Sequence, residues 1–466
     1  MRHVTNGAMV IGGLEMSSRR VKALLLACTG IGALCVTSID ANAGGLALRE
    51  QSAYGQGSSF AGVAAGGSLS SMFWNPATMT QQAGIQSESV LSGILPYSSQ
   101  SVTSGTFAAF GGAGNSGIDA LVPASYLSYQ VNQQLWLGLS INTPYGLAVR
   151  FPDMWAGRTY AESSKLQTYN ATPTIAYRIN DMISVGAGVQ IQYGRADLAK
   201  GLPVNNGGVA PGLTNLASIA GDGWGYGFTA GVTLTPTPTT TIGIGYRSAI
   251  NQKIDGTLTL PPGGIFTPGF GSTPGSVNTT LNLPATVSIG LRQRLTPQWT
   301  ALGTFEWSNW SRIGTSNIMQ ASGAPATIVG TPVTAKFLWS DGWFVSGGAE
   351  YQWNDRLAVR GGVGFEKSPV TDGVRSPLLP DNDRVWASLG ATYKWSNKVT
   401  LDAAYSHIFV KSTPIDISAA SGNPLFASGV SYIGSVDAHV DIISVALKYR
   451  WDDPAPPVKQ GYFKAK

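Results

Sequence analysis

The chain has 466 residues, of which 59 are glycine and 10% aromatic, while only 12% are charged. A typical soluble domain carries roughly 25% charged residues and roughly 7% glycine, so this composition excludes a disordered chain and a coiled coil alike. The net charge of +5 falls to about +3 once residues 1–43 are set aside, because they hold four Lys/Arg against Glu15 and Asp40. That excess is too small to point to nucleic acid.

Residues 1–43 read as a signal peptide. Ser17-Ser18-Arg19-Arg20-Val21-Lys22 forms a basic n-region, Ala23 to Val36 an apolar stretch, and Ala41-Asn42-Ala43 a small-residue cleavage site. Met16 offers a second start for the same leader. Both cysteines, Cys28 and Cys35, lie within it, so the mature chain from Gly44 holds no disulfide and no cysteine metal site. Beyond the leader no run of 18 apolar residues occurs, which excludes helical membrane spans. Residues 44–84 show no sustained alternation and are punctuated by Gly55, Gly57, Gly62, Gly66 and Gly67. They are too long for a lead-in to a first strand, and a wide barrel leaves a lumen to be filled. The segment is expected to be a hatch inside a barrel, with a periplasmic arm as the alternative.

From residue 85 the hydropathy period is two, the period of a strand. Val185, Ala187, Val189, Ile191 and Tyr193 alternate with Gly186, Gly188, Gln190, Gln192 and Gly194. Ile443, Val445, Leu447, Tyr449 and Trp451 alternate with Ser444, Ala446, Lys448 and Arg450. The pattern predicts strands at 85–97, 122–131, 135–150, 165–179, 183–198, 223–235, 239–254, 281–295, 298–312, 340–353, 356–367, 384–395, 398–411 and 438–451. Fourteen is even, as single-chain outer-membrane barrels require. Short turns such as Asn180-Asp181, Asn354-Asp355 and Ser396-Asn397 alternate with long Gly/Pro/Ser-rich segments near 199–222, 255–280, 313–339 and 412–437. Tyr129, Tyr177, Trp299, Trp353, Trp395 and Trp451 stand beside the short turns and form an aromatic girdle on one rim. A soluble sandwich has no reason to place tryptophan there repeatedly. The predicted fold is thus all-β: a transmembrane antiparallel barrel of 14 strands over 85–451, with residues 44–84 as a plug in its lumen. Residues 452–466, which begin Asp452-Asp453-Pro454-Ala455-Pro456-Pro457, read as a proline-rich periplasmic tail.

Several blocks carry a family resemblance. Gly45-Leu46-Ala47-Leu48-Arg49-Glu50-Gln51-Ser52, Gly55-Gln56-Gly57, Phe60-Ala61-Gly62 and Asn75-Pro76-Ala77 resemble the N-terminal hatch of the FadL/TodX family, transporters of long-chain fatty acids and aromatic hydrocarbons. Asn142-Thr143-Pro144-Tyr145-Gly146-Leu147-Ala148, Gly245-Tyr246-Arg247-Ser248, Leu283-Pro284-Ala285 and Leu379-Pro380-Asp381-Asn382-Asp383-Arg384 are similar to later segments of that family, in the same order. The resemblance implies fourteen strands, a hatch, an external apolar groove with a deeper pocket, and a kink in the third strand. The kink would fall at Asn142, Pro144, Tyr145 and Gly146, where proline removes a ladder donor and glycine permits a bulge; an ordinary strand end with a turn is the alternative. A family cation that holds a ligand carboxylate matches Lys200, with lysine in place of arginine. A second family lysine aligns with or next to Ala335, one position from Lys336.

The expected function is uptake of hydrophobic small molecules across the outer membrane of a Gram-negative bacterium, by a monomer in contact with outer-membrane lipid. A lateral exit at the kink, covered by the plug around Asn75-Pro76-Ala77, is expected because re-exposing apolar cargo to water costs roughly 25 cal/mol per Å². A general polar porin or a surface adhesin on the same barrel is the alternative. No enzymatic activity, cofactor, metal or nucleic acid is expected. Only His407 and His439 remain in the mature chain, and His407 is expected at the rim. Lumen charges such as Arg247, Arg292, Arg294, Glu306, Glu350, Arg360, Asp402 and Lys448 are expected to pair with one another or with the plug.

Overall fold

A computed structural model of the chain describes residues 45–202, 216–260, 275–328 and 331–453. The predicted leader and nearly all of the proline-rich tail lie outside the described residues. Fourteen staves run antiparallel around a closed ring. They are β1 Ile85–Gly105, β2 Ala120–Gln130, β3 in two pieces (Leu135–Asn142 and Gly146–Arg150), β4 Ser163–Arg178 and β5 Ile183–Gly201. Next come β6 Leu216–Thr237, β7 in two pieces (Thr240–Arg247 and Ile250–Thr259), β8 in two pieces (Gly275–Leu283 and Thr286–Arg294) and β9 Trp299–Ser308. The ring is completed by β10 Gly342–Gln352, β11 Leu357–Lys367, β12 Arg384–Lys394, β13 Val399–Val410 and β14 Tyr432–Arg450. The register of β1 on β14, from Gln86↔Arg450 to Gly105↔Tyr432, closes it. Closure removes the sheet edges that a membrane could not solvate.

The alternation read from the sequence runs inside out relative to a soluble protein. Ile443 and Val445 are 55% and 51% exposed, while Ser444 between them is 0% exposed. In β5 Val189 is 54% exposed and Gln190 only 1%. The apolar rows therefore face outward, to lipid, and the polar rows face the lumen. Two aromatic belts bound this band. Tyr177, Trp299, Trp353 and Trp395 stand exposed beside the short turns. At the opposite end Tyr97, Trp224, Trp343 and Phe409 form a second belt. Trp343 and Trp353 lie near the two ends of β10; at ~3.4 Å per residue and a tilt of about 40° their ten-residue separation spans roughly 25 Å, the height of a lipid-facing band. His407 lies on the outward row of β13 near the second belt, with Nδ1 2.7 Å from Asp441 of β14.

Several staves are longer than predicted. The segments 199–222, 255–280 and 412–437, expected as loops, are partly strand: β5 reaches Gly201, β6 begins at Leu216, β8 at Gly275, and β14 at Tyr432. These extensions rise beyond the second belt, where no lipid face is required and the period-two apolar signal disappears, as in Ala220-Gly221-Asp222-Gly223. β7 and β8, expected to be continuous, break at residues 248–249 and 284–285.

Residues 45–84 fill the lumen. A short helix α1 (Ala53–Gln56) is capped by Ser52, whose Oγ accepts from the Gly55 N–H at 2.9 Å. Short 3₁₀ turns follow at Val63–Ala65, Leu69–Phe73 and Pro76–Gln81. Asn-Pro-Ala has a local cause: Asn75 Oδ1 accepts from Ala77 N–H at 3.0 Å, and Pro76 takes the first helical position, where its missing N–H costs nothing. Asn75 Nδ2 donates to the Ala64 carbonyl at 2.8 Å and to the Val232 carbonyl of β6 at 2.9 Å, joining two hatch turns to the wall. The high glycine content finds its reason here. A Cβ on Gly243 would strike the Ala64 carbonyl, one on Gly245 that of Trp74, and one on Gly362 that of Ser58. Lumen-facing glycines form the seat on which the hatch backbone rests.

Candidate functional site

The wall departs from a regular ladder at the predicted kink. β2 pairs with β3 from Gln130↔Trp136 only as far as Ser125↔Ile141. The second piece of β3 pairs with β4, from Gly146↔Gln167 to Arg150↔Ser163, and among the described residues it has no ladder with β2. Between Asn142↔Asn170 and Gly146↔Gln167 the β3 side has one residue more than β4, which is a bulge. Thr168 of β4 bridges it, its Oγ1 accepting from Tyr145 N–H at 2.9 Å and donating to the Tyr145 carbonyl at 2.7 Å. Farther out a single bridge, Gly117↔Val149, rejoins the two sides. The result is a gap in the β2–β3 pairing, bounded below by Ser125↔Ile141 and above by Gly117↔Val149.

The hatch covers this gap from inside. Leu48 N–H donates to the Pro144 carbonyl and Gly146 N–H to the Leu46 carbonyl, both at 2.9 Å, with Ala47 bridged to Tyr145. Gln51 Nε2 donates to the Thr143 carbonyl at 2.8 Å, and Tyr126 Oη to the Gln51 carbonyl at 2.6 Å. Residues 46–48 thus act as a short substitute strand for backbone groups that would otherwise be unpaired at membrane depth. The expected cover, Asn75-Pro76-Ala77, lies elsewhere, on β5 and β6: a Cβ on Gly186 would touch Ala77, and Asn75 reaches Val232. The reason is geometric, because the glycines that admit that turn stand on β5, β6 and β7.

Outward of the hatch lies a cavity of about 310 Å³. Its walls are apolar: Leu147, Leu166, Leu198, Ile219, Ile254, Leu258, Leu281, Phe337, Trp339 and Leu379, with Leu46 of the hatch. That volume lies at the lower end of small-molecule sites. Lys200 and Lys336, predicted from separate parts of the sequence, both line it. So does Lys165, which the sequence did not single out; it stands one strand from Asp197 on β5, and no motif marks it. Lys200 sits beyond the second aromatic belt, seven residues past Tyr193. Its side chain keeps solvent access, yet the surrounding protein pushes its pKa below the ordinary lysine value by burial.

A file of aromatic rings joins the cavity to the kink. Phe337 and Trp339 are 5.3 Å apart, Trp339 and Trp310 5.4 Å, and Trp310 and Tyr145 6.2 Å, measured between centroids. Beside the kink and on toward the short-turn end the lumen is ionic instead. Arg49 of the hatch pairs with Glu306 and Glu366; Glu350 pairs with Arg292 and Arg360; Asp402 pairs with Arg360 and Lys448. Tyr54 of α1 donates to Glu350 at 2.7 Å. Most of the lumen charges named from sequence are therefore paired.

Residues 33–451 match the family described as "Outer membrane protein transport protein (OMPP1/FadL/TodX)". The long-chain fatty acid transport protein of Escherichia coli (strain K12) is 26% identical over 427 residues, covering 82% of this chain and 92% of that one. Outer membrane protein P1 of Haemophilus influenzae is 26% identical over 416 residues, covering 81% and 88%. Among solved structures, a Pseudomonas aeruginosa FadL homologue superposes with a TM-score of 0.77 at 23% identity, covering 88% of this chain and all of that one. The Pseudomonas putida toluene transporter TodX gives 0.63 at 16% identity, covering 86% and 98%. At these identities the two structures speak to the fold.

Proposed function

We propose a function from one premise: the chain belongs to the OMPP1/FadL/TodX family of outer-membrane transport proteins. Its place is the outer membrane, and its class is transport rather than catalysis. The cargo is a hydrophobic small molecule, a long-chain fatty acid or an aromatic hydrocarbon, taken from the external medium into the apolar cavity. Lys200 and Lys336 hold the carboxylate when the cargo is an acid. The cargo then moves along the aromatic file and leaves sideways, through the gap at Asn142-Thr143-Pro144-Tyr145-Gly146, into the bilayer. One chain closes the whole ring, so a monomer suffices, and residues 1–43 are removed on export.

The observation that carries this reading is the coincidence of three features: an apolar cavity, an aromatic file leading from it, and a pairing gap where the file ends. Axial passage would drive apolar cargo through the ionic layer around Glu350 and Asp402, at a cost in desolvation. A polar porin needs an open, charged constriction, whereas this lumen holds the hatch. Ala196 lines the cavity, and Ala196→Trp fills it. In vesicles reconstituted with the full chain, the substitution should abolish palmitate and toluene uptake while the barrel still assembles. Undiminished uptake would refute the cavity as entry chamber.

A further inference from the structure

A second cavity, of about 60 Å³, lies inward of the first, bounded by Ala47 and Leu48 of the hatch, Pro144 and Tyr145 of the kink, and Arg247 and Glu306 of the wall. Trp310, also on its lining, touches both Tyr145 and Trp339, and Trp339 belongs to the upper cavity. The aromatic file thus runs from an apolar chamber to a charged one.

The charges in the lower chamber are not equivalent. Arg49 gives Nη1 to Glu306 at 2.6 Å and Nη2 to Glu366 at 3.2 Å. The other oxygen of Glu306 accepts from Ser288 Oγ at 2.8 Å, and that of Glu366 from Trp386 Nε1 at 3.2 Å. Every carboxylate oxygen facing this space is engaged. Arg247 faces it without an acid. Its Nη1 donates to the Phe73 carbonyl at 3.1 Å, its Nη2 donates to Gln190 Oε1, and its guanidinium lies 4.1 Å over the Phe73 ring. Among the described residues it has no carboxylate partner. A guanidinium carries five N–H donors in a planar fork, so donors remain for an anion entering the cavity. Glu306 across the same cavity acts on Arg247 only at a distance, without a hydrogen bond to it, so the free donors of the fork are open to a carboxylate that reaches them.

We propose that the lower cavity is an anion site, where Arg247 receives the carboxylate of an amphipathic ligand delivered from the apolar chamber above; the inference rests on that chamber being the entry site. The lysines at the upper chamber offer point charges that capture an acid from water. Arg247 offers a fork matched to a carboxylate, beside Pro144 and Tyr145 at the inner face of the wall gap. An anionic cargo is thereby handed from one cation position to a second one next to its exit. A neutral hydrocarbon gains nothing from Arg247.

Two measurements on the intact full-length protein decide this. Crystals soaked with 2-bromopalmitate, whose bromine stands one carbon from the carboxylate, should show an anomalous peak beside Arg247; a peak beside Lys200 and Lys336 alone would overturn the proposal. In vesicles, Arg247→Gln should lower palmitate uptake about tenfold or more while leaving toluene uptake unchanged, and Arg247→Lys should restore part of the loss. Equal losses for acid and hydrocarbon would make Arg247 an anchor of the hatch through Phe73, and would sink the anion site. Wild-type protein that takes up neither cargo would defeat the entry-chamber reading instead. Should Arg247→Gln fail to assemble, the bromine position in the wild-type protein still decides.

Discussion

Gly186 of β5 faces the hatch so closely that a methyl group has no room. A Cβ there would lie 2.6 Å from Ala77 N and 2.7 Å from Pro76 C, both backbone atoms. Ordinary carbon contacts are about 3.5–4.0 Å, so Gly186→Ala forces a movement of roughly 1 Å. β5 cannot supply it, because Gly186 is laddered to Ala176 on one side and Gly231 on the other. The hatch must yield, and the bond from Asn75 Nδ2 to the Val232 carbonyl, now 2.9 Å, is the first to stretch out of range. One lost hydrogen bond at about 1 kcal/mol and about 1–3 kcal/mol of overpacking together weaken hatch seating by roughly 2–4 kcal/mol. Opening of the hatch should then be about 30- to 1,000-fold more frequent. Hydrogen exchange of peptides covering residues 69–81 reads this directly, and planar-bilayer recordings should show new aqueous conductance. Gly347, with nothing within 4 Å of its would-be Cβ, supplies the matched control. Exchange and conductance in Gly186→Ala no different from Gly347→Ala would refute the glycine seat.

Lys200→Ala should weaken palmitate binding about tenfold or more, through loss of a charge-assisted hydrogen bond, with little effect on toluene; equal loss for both would remove its carboxylate role. The Lys200 amine is charged below its pKa, and burial lowers that pKa, so its help to acids should fade at a lower pH than for a free lysine. Glu50, a hatch residue with one buried oxygen lacking a partner, has its carboxyl pushed up by burial from 4.5 to about 7. The seated hatch keeps this proton while a released one loses it, so seating should weaken as pH rises from about 4.5 to 7 and level off above. Glu50→Gln should flatten that slope, as followed by hatch hydrogen exchange against pH, and an unchanged slope would contradict the assignment.

The fold was legible because lipid enforces a period of two on every stave, and because turns such as Asn354-Asp355 are brief. Rows such as Ile443, Val445 and Leu447 carry that signal without help from distant residues. Above the membrane the constraint lapses, so the strand ends at Gly201, Leu216 and Gly275 carry no period-two signal. The belt near the short turns was visible beside punctuation; its partner at Tyr97, Trp224 and Trp343 reads along the chain as more apolar alternation. The resemblance pointed to a kink at Pro144 and Gly146, where the residues alone left an ordinary strand end as the alternative; Lys200 and Lys336, far apart in the chain, line one cavity. What covers the kink was not legible. The pairing of Leu46–Leu48 with Pro144–Gly146 is a contact across some hundred residues, and the seat that draws Asn75-Pro76-Ala77 away consists of glycines whose role shows only against the hatch backbone.

Lateral exit past the hatch segment is the central claim, and a reversible lock tests it most directly. Ala47 and Tyr145 are an antiparallel bridge pair, a spacing that a disulfide can span. With cysteines at both positions and the cross-link verified, palmitate and toluene uptake into vesicles should stop when the pair is oxidised and return on reduction, with the barrel intact throughout. Uptake by the oxidised protein at the reduced rate would contradict exit through this gap and favour passage along the axis.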